Sequence, residues 1–249
     1  MTSLVFILAA GQTPELPPLA TTASAEFKQA VAQAEKSLAA GRFGEAEALL
    51  SALPDRKISI NWDPKSVPLS HLATLVQGRD EAIQAWKASP LGLEIDLAAS
   101  KPDIQFTFTR QLPILEGTEV RQGAVHFVSF SSEEVNVESV IALLRGDPAE
   151  EAQKWDAASE VSYAIGASLG LSRMPREGGA MGRTDARFRI PPKVMPDEVL
   201  AAGQNLRRLD ALRKMAAEKK PLPARGGASA FVGSRKLAIG DALQGKPLR

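Results

Sequence analysis

The stretch from Asp147 to Gly170 constrains the fold most, because it carries both the start and the stop signals of one long helix. Asp147 can cap the first turn, Pro148 suits the first helical position, and Glu150 completes a capping-box pattern. Trp155, Ala158, Val161, Ile165 and Leu169 form its apolar side. Gly170 is a natural stop, since glycine accepts the left-handed backbone that ends helices. A helix with such a face needs an apolar surface to lie on.

Strands upstream can supply that surface. KISINWD (57–63) alternates, with Ile58, Ile60 and Trp62 on one face. LEIDLA (93–98), DIQFTFT (103–109) and GAVHFVSF (123–130) are rich in Ile, Val and Phe and read as three more strands. Between the first two, residues 69–89 read as a helix burying Leu72, Leu75, Val76, Ile83 and Trp86, with a break marked by Gly78 and Asp80. After Gly170 a Gly/Arg-rich loop leads to a helix from Pro196 to Lys219, whose basic last third suits a helix C-terminus.

The N-terminal part is organised differently. Residues 1–11 have the layout of a signal peptide, with an apolar run from Leu4 to Ala10 and small residues at Ala9 and Gly11. This makes export the expected localisation, with the mature chain starting near Gln12. Residues 12–23 are Pro- and Thr-rich and read as a linker. Residues 24–54 read as two helices, the first capped by Ser24 and ended by Gly41, the second stopped by Pro54. LAAGRFGEAEALL resembles one tetratricopeptide-type helical hairpin; a lone unit cannot bury its own face, so packing on the next domain is expected. Residues 221–249 have little apolar periodicity and read as a flexible basic tail.

The scarce residues exclude chemistry. The 249-residue chain has no Cys, which removes disulfides, thiolate metal sites and a Cys nucleophile. Its two histidines, His71 and His126, are too few for a three-His zinc site. His126 reads as a hydrogen-bonded strand residue and His71 as a solvated one. A net charge of +1 gives no argument for nucleic acid, and no stretch is long and apolar enough to be a transmembrane segment.

The segment SYAIGASLGLSRMPREGGAMGRTD (162–185) resembles the active-site segment of the matrixin-like branch of the metzincin zinc peptidases. That family's pattern is H-E-x-x-H-x-x-G-x-x-H followed by a methionine turn. Aligned on Gly170, Tyr163, Ala167 and Arg173 fall at the three His positions and Ala164 at the Glu position. Gly166, Leu169, Gly170 and Leu171 match the frame, and Met181 falls where the methionine turn is expected. The resemblance covers about residues 56–210 and places a matrixin-like domain at 56–220. It implies an α+β, zincin-like fold with a twisted, mainly parallel mixed sheet backed by helices.

Every retained residue in that frame is structural and every replaced one is chemical. No cofactor is implied. Glu160, Glu177 and Asp185 are nearby carboxylates, expected to be solvated or paired with Arg173, Arg176, Arg183 and Arg187. The reading is a pseudopeptidase with a polypeptide partner or a structural role. Two others stay open: an enzyme using a different site on the domain, and an unrelated soluble interaction protein.

Overall fold

A computed structural model describes residues 16–63, 65–109, 124–130, 135–142, 151–182 and 190–222, together with two strands at 229–232 and 235–238. Residues 1–15 are not among them, so the signal-peptide reading lies outside the described residues, as do the cap at 147–150 and Asp185.

The elements in chain order are α1 (Ala25–Ala39), α2 (Phe43–Ala52), β1 (Lys57–Trp62), a 3-10 turn (Leu69–His71), α3 (Leu72–Lys87), β2 (Glu94–Asp96), β3 (Ile104–Thr109), β4 (Ala124–Phe130), β5 (Val135–Ala142), α4 (Glu151–Ser168), α5 (Pro196–Ala217), β6 (Ser229–Val232) and β7 (Arg235–Ala238). The fold is α+β. Five strands form a sheet in the order β2-β1-β3-β5-β4, in which β4 alone runs antiparallel to its neighbour.

Alternation along the strands decides which face the helices cover. Ile58 and Ile60 of β1 and Ile104, Phe106 and Phe108 of β3 are buried on one face, against α3 and α4. Gln105 is exposed, and Ser59, Asn61 and Thr107 are half-buried. Parallel sheets covered on both faces lose such alternation; among the described residues the helices back one side of β1 and β3, so it survives. Among the described residues the core beneath them also takes Trp86, Val161, Ile165, Leu169 and Met181.

Two sequence expectations change in this domain. The helix at 69–89 is not broken at Gly78: α3 runs through it as one α-helix. Glycine is there because α3 crosses α4 so closely that a Cβ would stand 2.4 Å from the Lys154 carbonyl oxygen and 2.9 Å from Ala157 Cβ. Moreover, β5 is a strand beyond the four expected. It occupies an interior position of the sheet, parallel to β3 and antiparallel to β4.

The hairpin and its approach are part of the same body. Phe27, Val31, Leu38, Leu50 and Leu53 share a second core with Leu209, Leu212 and Ala216 of α5. Ser24 Oγ accepts from Phe27 N at 3.2 Å and caps α1. Residues 16–23 do not behave as a free linker. Ala20 and Ala23 are buried, Ala20 N donates to Asn205 Oδ1 at 3.2 Å, and Arg208 Nη1 donates to the Pro17 carbonyl at 2.5 Å. Arg208 also pairs with Glu35 of α1. Within 221–249, which read as a flexible basic tail, β6 and β7 pair antiparallel with Val232 opposite Arg235. The Gly-Ser pair between them in the sequence is a hairpin signal that a count of apolar residues passes over.

Candidate functional site

The site is built where α4 ends. Its last turn closes through Gly170, whose φ of 82° places it in the left-handed region. Gly170 N donates to Ala167 O at 2.9 Å and Leu171 N to Gly166 O at 3.0 Å, satisfying carbonyls that the helix end leaves free. The chain then turns back, and Arg173 lies over the helix it has just left.

Tyr163 and Arg173 meet there. The Arg173 guanidinium carbon stands 3.9 Å from the centroid of the Tyr163 ring, a cation–π contact. Its Nη2 donates to Glu160 Oε2 at 3.2 Å and its Nη1 to the Gly182 carbonyl at 3.0 Å. Burial pushes the Tyr163 phenol above its ordinary pKa; the Arg173 charge and hydrogen bond oppose this, while Glu160 and Glu26 of α1 add to it. Ala167 is buried beside them, whereas Ala164 belongs to the domain core with no exposure at all.

Met181 sits beneath. A Cβ on Gly166 would come within 2.0 Å of the Met181 sulfur and 3.0 Å of Trp86 Cζ2, so the missing side chain at 166 is the seat of the methionine. Trp86 Nε1 donates to both the carbonyl and the hydroxyl oxygen of Ser162, at 2.9 and 3.1 Å, fixing the ring against α4. The Met181 turn is held from the far side by Glu198, a fully buried carboxylate near the start of α5. Glu198 accepts from Ala180 N at 3.1 Å, Met181 N at 2.9 Å and Met195 N at 2.8 Å, and Arg176 Nη2 pairs with it at 3.0 Å.

Several placements differ from expectation. Arg176 pairs with Asp197 and Glu198 of α5. Its hydrogen bond holds Asp197 below the usual carboxylate range. As expected, Glu160 pairs with Arg173 and Glu177 is exposed. His71 is half-buried rather than solvated: Nδ1 meets Ser70 Oγ at 3.0 Å, and Nε2 is enclosed at the start of α3. His126 lies opposite Ser139 in the β4–β5 ladder. Sequence reasoning missed Glu198, although an acidic first turn after Pro196 is a helix-start signal. It also missed Phe27, for which the sequence near Gly170 carries no signal.

One further carboxyl lies two turns before Tyr163. Asp156 is pushed up to about 6 from 3.8, by burial and then by the charge of Glu160 one turn on. A carboxyl raised in the fold weakens the folded state wherever it must ionise, and the penalty is relieved as pH falls from about 6 towards 3.8. Asp156→Asn therefore stabilises the chain at pH 8, by on the order of 2 kcal/mol. That gain should vanish by about pH 4, where the native carboxyl is already protonated. Thermal melts at the two pH values check it; an equal gain at both would refute the assignment.

Away from this site, a polar pocket of about 340 Å³ is lined by Asp55, Lys57, Asp103, Ser168 and Arg213 among others. Its groups are committed to structure. Asp103 accepts from Ser59 N and Oγ, both at 2.7 Å, and Arg213 donates to the Leu50 and Leu53 carbonyls. Among the described residues no three His, Cys, Asp or Glu side chains converge on one point, and no helix is long and apolar enough to cross a membrane. No protein-family model matches the chain, and no curated protein resembles it significantly.

Proposed function

We propose that the chain is a catalytically inactive relative of the matrixin-like metallopeptidases that holds a polypeptide or serves as a structural module. Export, read from Leu4–Ala10, belongs to the same proposal. The observation that carries the reading is the Met181 side chain seated on Gly166, directly under the helix that bears Tyr163 and Ala167. In the family that resemblance suggests, those two positions carry zinc-binding histidines one turn apart, a glycine turns the chain, and a methionine turn lies close by. The helix, its left-handed glycine and the methionine contact are all here, and so is a mainly parallel mixed sheet backed by helices.

The chemistry that such a frame would support is missing. Zinc hydrolysis needs neutral nitrogen or anionic ligands and a general base for the metal-bound water. Here the corresponding positions hold a phenol, two methyl groups and a guanidinium, and the guanidinium is tied to Glu160. A cation in that space would be repelled by Arg173. The Tyr163–Arg173 stack fills with packing and an ion pair what a metal would otherwise hold together.

Elemental analysis and a protease assay test this directly. The purified chain should hold no stoichiometric zinc after dialysis and should not cleave unfolded protein substrates in a chelator-sensitive way. About one zinc per chain, or hydrolysis abolished by chelator and restored by zinc, would overturn the reading.

A further inference from the structure

The segment leading into α1 runs antiparallel along the turn that follows α4. Ser24 N donates to the Gly170 carbonyl at 2.9 Å and Ser172 N to the Thr22 carbonyl at 3.0 Å. These bonds frame Ala23 and Leu171 as directly opposed partners, the closely spaced kind that shares no hydrogen bond of its own. One turn further on, the fully buried Phe27 ring lies on Gly170, so near that a Cβ there would meet it at 2.6 Å. Helix α1 also packs against β4, an edge strand of the sheet. The main chain of Thr22–Ser24 and the first turn of α1 thus cover the end of α4 beside Tyr163 and Arg173.

We infer that the polypeptide held at the degenerate site is the chain's own segment Thr22–Phe27, bound in cis. The inference rests on reading that site as peptidase-derived, and it names the occupant. Two features of the contact are those of peptide recognition: backbone pairing fixes an extended segment, and one large side chain anchors it. The segment is held from behind as well, through the Arg208–Glu35 pair and the core shared by α1 and α5. Tethering at such an effective concentration leaves little opening for a peptide offered in trans.

A chain without Cys and with a single Tyr supplies two clean probes. In the full-length double variant Ala23→Cys, Leu171→Cys, mild oxidation of the folded protein should close a disulfide. The separation of a non-hydrogen-bonded pair, about 4.5 Å between Cα atoms, lies within disulfide range. Two free thiols in the folded, oxidised protein would overturn the inference. Should that variant not fold, the unaltered chain decides: tetranitromethane should nitrate Tyr163 on the order of tenfold more slowly in the native state than in urea. Equal rates would overturn it too. A closed disulfide in a chain whose ligand-restored form binds no zinc would support the cis contact and reject the peptidase ancestry instead.

Discussion

A chain carrying Tyr163→His, Ala167→His and Arg173→His should bind one zinc ion that the parent does not. Positions 163 and 167 are four apart on α4 and share one helix face. The left-handed turn at Gly170 brings position 173 back, as the 3.9 Å approach of Arg173 to the Tyr163 ring demonstrates. Removing Arg173 also takes away the charge that opposes a cation. Ala164 is left alone: it is wholly buried in the core, where a glutamate carboxylate would be costly. Zinc titration of the folded variant should give a one-to-one site of roughly micromolar affinity or better, about 8 kcal/mol. Activity is not expected without the general base. A folded variant that binds zinc no more tightly than the parent would remove the main support for the alignment on Gly170.

A large loss of stability from one methyl group is expected at Gly78→Ala. Alanine is the better helix former by about 1 kcal/mol, so propensity alone favours the change. The crossing with α4 opposes it, because the new Cβ would meet the Lys154 carbonyl oxygen at 2.4 Å, Ala157 Cβ at 2.9 Å and Ala158 N at 3.0 Å. Two of those three atoms are backbone, so one helix must move off the other and loosen the core around Trp86. Overpacking of this kind costs about 1–3 kcal/mol, occasionally more, and the upper part of that range is expected. Gly44→Ala in α2 is the control, since nothing lies within 4 Å of its Cβ direction; it should gain up to about 1 kcal/mol. Chemical denaturation of both variants compares them. A Gly78→Ala chain as stable as the Gly44→Ala chain would mean the helices are not in contact there.

What the sequence made legible was local. Ser24 as a cap, Pro196 as a first helical residue and Gly170 as a stop each act within one turn, so their signals survive without knowledge of the fold. Strands β1 and β3 were readable because, among the described residues, helices back one side of them and leave the alternation intact. By contrast, VNVESVIA has the residues of a strand but is flanked by acidic and helix-forming residues, and only its partners β3 and β4 decide the matter. Gly78 looked like a break because its reason lies on another helix. The same holds for residues 16–23, whose Pro-rich composition concealed contacts to Asn205 and Arg208 far along the chain. At the candidate site, the spacing of 163, 167, 170 and 173 was visible in the sequence, while Glu198 under the methionine and Phe27 over the glycine were not. Both come from outside the motif.

Helix α5 faces two ways along its length. Ala201, Ala202 and Leu206 close the core of the sheet domain, and Leu209, Leu212 and Ala216 close the core of the hairpin. The residues that cover Phe27 and Val31 therefore leave the ribosome some 185 positions after the segment they shelter, the separation of the Ala20–Asn205 bond. At ordinary synthesis rates that interval is on the order of ten seconds or more. During it the hairpin can form its helices and meet β4 and the turn at Gly170, but the core it shares with Leu209, Leu212 and Ala216 closes only after α5 has been made.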